Sequence, residues 1–395
     1  MVTIIGNGMG EYNFENLNID LSAYDKILCD VNFKEDGANI LKAKFRDIKE
    51  YILENYNKEN ILYVITGSPV FFSAGALMAS KLPRDQVKII NNTSCKDYMM
   101  EKLFIAEANI ESISLHGRKY IDLSKFLTNT YTLILCDKDS CEKVKEALHY
   151  INSSDIEVTI GYKLGYEDEV IEQIDIKSFT FNAFDLSQPY VLLIKKLFTQ
   201  KAISEDSDFD TQRGMITKKY KRGLSLQNLD LEPNQLLWDI GAGSGSCGIE
   251  AYKRYKTRTI FFEKNTERTP NIEKNLRSHR VVDTKLYIGE AQDKFEELEE
   301  NPQRIFVGGG GDEVIKKLPY LYERLDENGV MVISAITLKH LSSMINILNE
   351  SKIEYEVFSL SLTTYKGKLD LVEPERQLFQ LKVIKEQKEE TKAHS

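Results

Sequence analysis

One short stretch has the residue types and spacing to hold a cationic ligand that carries a ribose. The apolar run Leu237-Trp238 ends in an acid, Asp239, and the glycine-rich turn Ile240-Gly241-Ala242-Gly243-Ser244-Gly245-Ser246 follows at once. Cys247-Gly248-Ile249-Glu250-Ala251-Tyr252 then reads as a helix start. A strand, a glycine turn and a helix N-terminus together bring backbone N–H groups close to a ligand. A second apolar run, Thr259-Ile260-Phe261-Phe262, ends in Glu263, about twenty residues past the turn, where a ribose-binding acid belongs. Gly243-Ser244-Gly245-Ser246-Cys247-Gly248 is also a literal match to the dinucleotide fingerprint. Asp239 separates the two readings. An anion there repels a pyrophosphate but attracts the ammonium and sulfonium of S-adenosylmethionine, so a methyltransferase is favoured over a dehydrogenase.

The elements that must position these residues alternate strand and helix along the whole chain. Val2-Thr3-Ile4-Ile5 reads as a buried strand running into Gly6-Asn7-Gly8-Met9-Gly10, and a helical pattern covers Ala38 to Tyr56. Ile61 to Ile65 is a strand ending in the turn Thr66-Gly67-Ser68-Pro69, with a helix expected from Phe71 to Leu82. Further strands are expected at Val87 to Ile90 and Thr132 to Leu135, with shorter ones from Val158 up to Ile194. This rhythm implies an α/β domain with a largely parallel sheet over residues 1–198. The acidic, aperiodic segment 199–210 reads as a linker. A second α/β domain, with strands at 286–288, 305–307, 330–333, 354–360 and 378–383, covers 211–385, and 386–395 reads as a charged, disordered tail.

Length and composition agree with this division. A chain of 395 residues fits two domains better than one core. The apolar runs are too short to span a bilayer, and no basic segment precedes the first apolar run, so a cytoplasmic enzyme is expected. Five cysteines, Cys29, Cys95, Cys136, Cys141 and Cys247, form no zinc spacing, and no metal site is expected. The formal charge of −9 argues against wholesale nucleic-acid binding. It leaves room for an anionic small substrate held by a local basic cluster.

In its second half the sequence resembles a known family. Asp239-x-Gly241-x-Gly243-x-Gly245 resembles the first motif of the Rossmann-like methyltransferases. Met215-Ile216-Thr217-Lys218, Ile249-Glu250-Ala251, Phe262-Glu263-Lys264-Asn265, Gly289-Glu290-Ala291 and Val307-Gly308-Gly309-Gly310-Gly311 extend the match. Together, over 210–384, they resemble the precorrin C15-methyltransferases and decarboxylases of cobalamin biosynthesis. Over 1–197, Gly6-Asn7-Gly8-Met9-Gly10, Thr66-Gly67-Ser68-Pro69, Ser112 to Arg118 and Gly161 to Glu169 resemble the tetrapyrrole methylases. Here Met9 stands in place of a proline and Ser68 in place of an aspartate, and Asn91-Asn92-Thr93-Ser94 replaces a Pro-Gly-x-Ser turn. The whole resembles the two-headed precorrin-6Y C5,15-methyltransferases (decarboxylating). The resemblance implies an N-terminal tetrapyrrole methylase α/β domain and a C-terminal Rossmann-like class I methyltransferase domain.

That resemblance implies the site residues too. S-adenosylmethionine would meet Thr217, Asp239, Gly241, Ala242, Gly243, Ser244, Gly245, Glu263 and Ala291 in the second half, and Gly6, Thr66, Gly67, Ser68 and Ser94 in the first. Thr217 equally suits a helix N-cap. A tetrapyrrole bearing several carboxylates would meet Lys218, Arg222, Gly308, Gly309 and Gly310, with His116 and Arg118 in the first half; Lys366 and Lys368 form a second basic pair. No general base is obligatory for methyl transfer to an electron-rich macrocycle carbon, and the macrocycle itself accepts the electrons of decarboxylation, so no catalytic side chain is assigned. The expected partners are a precorrin or cobalt-precorrin and further copies of the chain, with no nucleic acid and no membrane. Two alternatives remain open: a methyltransferase acting on another small molecule, and a first half that binds tetrapyrrole or oligomerises without catalysis.

Overall fold

β-branched and aromatic runs alternate with amphipathic helices, and the strands assemble into two five-stranded sheets, a seven-stranded sheet and a two-stranded ribbon. The computed structural model describes residues 1–387 apart from 16, 181–183, 310 and 368–370. Gly310, Lys368 and most of the expected tail therefore lie outside the described residues. Two units are separable: Met1–Tyr120, Lys125–Glu142 and Glu157–Lys196 form one, and Ile121–Ser124, Lys143–Ile156 and Leu197–Ser395 the other. No helix among the described residues is long and apolar enough to cross a membrane.

In the first unit, β1 (Val2–Gly6), β2 (Lys26–Cys29), β3 (Ile40–Lys42), β4 (Ile61–Ile65) and β5 (Val87–Ile90) form a sheet in the order β3-β2-β4-β1-β5. The pairings are parallel, and β1 is buried along its full length, as a sheet covered on both faces requires. Helices α1 (Phe45–Asn55), α2 (Ala74–Ala79) and α3 (Cys95–Leu103), with only the first residues of α4 (Ser140–Ala147), accompany β6 (Ile110–Ser114), β7 (Tyr131–Leu135), β8 (Ile156–Tyr162), β9 (Val170–Ile174) and β10 (Tyr190–Lys196). The latter five form a mixed sheet in the order β6-β7-β10-β8-β9.

Two helices are shorter than the sequence pattern predicts. The expected helix from Ala38 gives up its first turn to β3, because Ile40 and Leu41 pair in register with Ile27 and Leu28 of β2. Sheet pairing there outweighs local propensity. The helix expected from Phe71 begins only at Ala74, because Ser73 adopts extended backbone and its hydroxyl accepts the Gly75 N–H at 3.2 Å. That is an N-cap.

The second unit is built on α5 (Lys219–Leu229), β11 (Leu236–Ile240), α6 (Ser246–Tyr255), β12 (Arg258–Glu263), α7 (Thr269–Ser278), β13 (Thr284–Ile288), β14 (Arg304–Val307), α8 (Gly311–Lys316), α9 (Leu318–Arg324), β15 (Val330–Ala335), α10 (Leu338–Glu350) and β16 (Glu356–Leu360). The ribbon β17 (Thr363–Lys366) and β18 (Leu371–Pro374) leads into β19 (Leu378–Ile384). Strand order is β13-β12-β11-β14-β15-β19-β16, with β19 antiparallel to both neighbours. The order reverses at β11, which has β12 on one side and β14 on the other. Such a switch point opens a crevice outside the carboxyl ends of the strands. Trp238, Phe262 and Phe295 pack under it, with the Trp238 and Phe295 rings stacked at 5.4 Å.

Segment 199–210 is packed into this unit. Ser204 and Phe209 are buried, and the Asp210 N–H donates to Asn275 Oδ1 at 2.8 Å while Asn275 Nδ2 returns a bond to the Asp210 carbonyl at 2.9 Å. Acidic composition concealed this, because Asp206 is the partner of the buried Arg222.

Candidate functional site

The turn after β11 is held open by backbone geometry that only glycine adopts cheaply. Gly241, Gly243 and Gly245 all have positive φ, at +72°, +63° and +76°. A Cβ on Gly241 would stand 2.6 Å from the Gly309 carbonyl carbon, so the loop after β14 closes directly over the loop after β11. The Gly241 and Ala242 amides both donate to the Phe262 carbonyl, at 2.9 and 3.0 Å, and the Gly308 amide donates to Ile240 O at 2.9 Å. Three strand ends are thereby laced together.

The two acids sit at the tips of β11 and β12. Glu263 is buried; its Oε2 accepts the Gly243 N–H at 2.8 Å and its Oε1 the Asn265 N–H at 2.8 Å. Arg268 Nη1 lies 3.5 Å from Oε1. Asp239 is buried as well, and its Oδ2 accepts the Gly248 N–H, in the first turn of α6, at 2.9 Å. Its Oδ1 is buried with no partner, and so are Ser244 Oγ and Trp238 Nε1. Burial pushes the Asp239 carboxyl up to about 7, against the pull of the Gly248 amide and with a smaller push from Glu263. A buried acid with a vacant oxygen beside a glycine cradle is a site for a cation.

Above this turn is a cavity of about 910 Å³, towards the upper end of the roughly 300–1,000 Å³ range of ligand pockets. Of the residues that the sequence assigned to a cofactor, Thr217, Gly241, Ala242, Gly243, Ser244, Glu263 and Ala291 line it. Asp239 lies behind the wall, and Gly245 turns the chain into α6 with its Cα facing Ile249. Of the residues assigned to a substrate, Lys218, Gly308 and Gly309 line the cavity.

Arg222 requires correction. It is fully buried, and its guanidinium donates to Glu250 Oε2 at 2.7 Å, Asp206 Oδ1 at 3.1 Å, the Thr217 carbonyl at 2.7 Å and the Ser204 carbonyl at 2.8 Å. Four of its five N–H groups are so used, and it does not line the cavity. Its role is to pin 204–206 and the strap through Thr217 to α5 and α6, and an unpatterned Lys-Lys-Tyr-Lys-Arg run does not disclose which cation turns inward. Lys366 falls in β17, and its side chain lies outside the described residues.

The cavity also contains residues that motif reading passed over: Arg213, Arg268, His340 and Arg376. Arg268 has a spacing signal, five residues past Glu263 at the start of α7. Arg376 comes from the loop between β18 and β19, far away in sequence, and only the sheet order brings it in.

In the first unit, the assigned residues gather at the carboxyl ends of β1 and β4. The Gly8 amide donates to Gly67 O and the Gly67 amide to Gly8 O, both at 3.1 Å, next to Gly6 and the exposed Thr66. Ser68 Oγ donates to Asn91 Oδ1 at 2.7 Å. Ser94 is engaged in a capping box at the start of α3, donating to Asp97 Oδ2 at 2.7 Å and accepting the Asp97 N–H at 3.1 Å. His116 and Arg118 are exposed in the turn after β6, where the Gly117 amide donates to Asp137 Oδ2 at 3.0 Å.

Comparison with known proteins follows the same division. Residues 208–385 match the model of the precorrin methyltransferase domain. A precorrin-6Y C(5,15)-methyltransferase (decarboxylating) of Sinorhizobium is 26% identical over 285 residues, which are 70% of this chain and 68% of that one. A probable cobalt-precorrin-6B C(15)-methyltransferase (decarboxylating) of Pyrobaculum calidifontis is 30% identical over 156 residues, 38% of this chain and 79% of that one. The crystal structure of a precorrin-6Y C5,15-methyltransferase from Geobacter metallireducens, 28% identical, covers 47% of this chain and 100% of its own, with a TM-score of 0.45.

Proposed function

The chain belongs to the precorrin methyltransferase family, and from that premise we propose that it methylates a precorrin or cobalt-precorrin at C5 and C15 and removes the C12 acetate carboxyl as CO2. The carrying observation is the pairing of Asp239 and Glu263 at adjacent strand ends beneath a cavity far larger than a nucleoside needs. S-adenosylmethionine, when bound, supplies an electrophilic methyl group. Glu263 and the Gly243 amide would take its ribose, Ala291 and Phe262 would flank its base, and the Asp239 carboxyl, behind the glycine turn, would act on its cationic end as a charge without touching it.

Everything else the protein does here is alignment and exclusion of water. Holding two reactants in line can supply up to about 7–11 kcal/mol of a barrier. The glycine loop after Val307 lets a flat macrocycle approach backbone. We assign C15 methylation and decarboxylation to residues 211–385 and C5 methylation to residues 1–198, where Gly6, Thr66, Gly67, Ser68 and Ser94 would form the cofactor side and His116 and Arg118 the substrate side. The working unit is proposed to be a homo-oligomer. Incubation with S-adenosylmethionine and a precorrin-6-type substrate tests this, mass spectrometry reading methyl gain and CO2 loss separately. A product that gains methyl groups but never loses CO2 contradicts the assignment.

A further inference from the structure

The cations around the cavity are not equivalent. Lys218 lies 3.7 Å from Asp206, and Lys264 is 3.7 Å from Glu290. Arg268 is 3.5 Å from Glu263, Lys221 is 3.0 Å from Glu375, and His340 is 3.5 Å from Asp312. Each of these charges is at least partly answered. Arg213 and Arg376 are different: among the described residues, neither guanidinium has an ion pair or a hydrogen bond. The chain carries 61 acids against 52 lysines and arginines, so two unanswered guanidiniums in one concavity do not reflect a shortage of carboxylates.

Both arginines project from backbone that is held in place. Around Arg213, Gln212 Nε2 donates to Glu267 Oε2 at 2.6 Å, and Arg222 Nη1 fixes the Thr217 carbonyl at 2.7 Å. Arg213 itself adopts φ +52°, a left-handed conformation unfavourable for a non-glycine residue. At Arg376, Lys221 Nζ donates to the backbone carbonyl at 2.7 Å, and Gln377 Nε2 donates to Ser359 Oγ at 2.6 Å. Each is a planar fork of five donors on a fixed stem, the geometry that takes a carboxylate bidentately.

We propose that Arg213 and Arg376 are specificity-determining residues that each clamp one peripheral carboxylate of the tetrapyrrole, and that Lys221 is a positioning residue holding the Arg376 loop. The inference rests on the tetrapyrrole reading given above. It extends that reading by naming which two of the cavity's cations read the substrate's acid groups and which stand by as structural pairs.

The test uses the full chain and uroporphyrin III, an eight-carboxylate porphyrin, as probe, with binding followed by fluorescence and S-adenosylmethionine titrated separately by calorimetry. Loss of one charge-assisted bidentate contact in Arg213→Gln or Arg376→Gln raises the porphyrin Kd about tenfold. In the double variant the rise is about a hundredfold, because different carboxylates are released. The S-adenosylmethionine Kd stays within about twofold. Arg376→Lys falls in between, keeping charge without the fork. Lys221→Met weakens porphyrin binding in the wild-type background and has no further effect beside Arg376→Gln, a dependence that general destabilisation does not produce. Unchanged porphyrin affinity in both single variants overturns the clamp and leaves the methyltransferase reading standing. Equal losses of porphyrin and S-adenosylmethionine binding overturn it also, as a general disturbance of the cavity. A wild-type chain that binds porphyrin but never S-adenosylmethionine sinks the methyltransferase reading instead.

Discussion

Glu263 accepts the Gly243 amide at 2.8 Å, so the acid that ends β12 also closes the glycine turn that ends β11. One carboxylate both shapes the cradle and lines the cavity. Glu263→Ala should therefore weaken S-adenosylmethionine binding in the second unit by about 1.5–3 kcal/mol, the value of a charge-assisted hydrogen bond. It also strips Arg268 of its nearest acid. Calorimetric titration checks this; unchanged affinity in a folded variant removes Glu263 from the site.

Asp239 should make both stability and cofactor affinity pH-dependent. Its carboxyl rises from 3.8 unfolded to about 7 folded, so the native state holds an extra proton between those values. Stability contributed by this group is greatest below pH 4 and is lost as pH rises towards 7, then stays level. Asp239→Asn removes that dependence. The melting-temperature difference, variant minus wild type, should grow across pH 4–7 without ligand. S-adenosylmethionine affinity should move the other way, rising through pH 7 as the acid ionises to meet a cation. A flat pH profile of affinity between 6 and 8 would place the ligand's charge elsewhere.

The glycines of the turn should not respond alike. At Gly243 an added methyl meets only the Gly241 carbonyl, at 3.9 Å, so Gly243→Ala costs only the left-handed backbone, about 1–2 kcal/mol. At Gly241 the same methyl would strike the Gly309 backbone at 2.6 Å. Gly241→Ala should cost more stability and also spread the two loops, abolishing cofactor binding. Comparable melting temperatures for the two variants would show that the loops are not packed as described.

Arg222 supports the fold and not the ligand. Arg222→Met leaves Glu250, 1% exposed, with only the Arg254 guanidinium at 3.6 Å, and removing one partner of a buried ion pair costs about 3–5 kcal/mol. Denaturant unfolding should show that loss, with Arg222→Met/Glu250→Met recovering much of it. A stable Arg222→Met chain with weakened tetrapyrrole binding would restore the substrate role.

What the sequence disclosed and what it concealed have separate physical causes. The Asp239 turn and Glu263 were legible because a tight turn at a strand end constrains neighbouring residues, so their chemistry and spacing appear within one short stretch. The strand-helix alternation was legible for the same local reason. Concealed were effects set by distant partners. Ile40 and Leu41 join a strand because β2 is there to pair with them. Segment 199–210 packs because Arg222 and Asn275 meet it. Arg376 reaches the cavity only because the ribbon β17–β18 folds back before β19. Composition shows the charges; only the fold shows which have been neutralised.

The proposed division of labour gives decarboxylation and one methylation to the second unit and the other methylation to the first. It is tested most directly by mass spectrometry of the products made by full-length Glu263→Ala beside the wild type, with S-adenosylmethionine and a precorrin-6-type substrate. The account predicts that CO2 loss and one methyl gain fall together, about ten- to a hundredfold at subsaturating cofactor, while the other methyl gain continues. If both methyl gains disappear while CO2 loss continues, the division is contradicted, and the first unit is a scaffold.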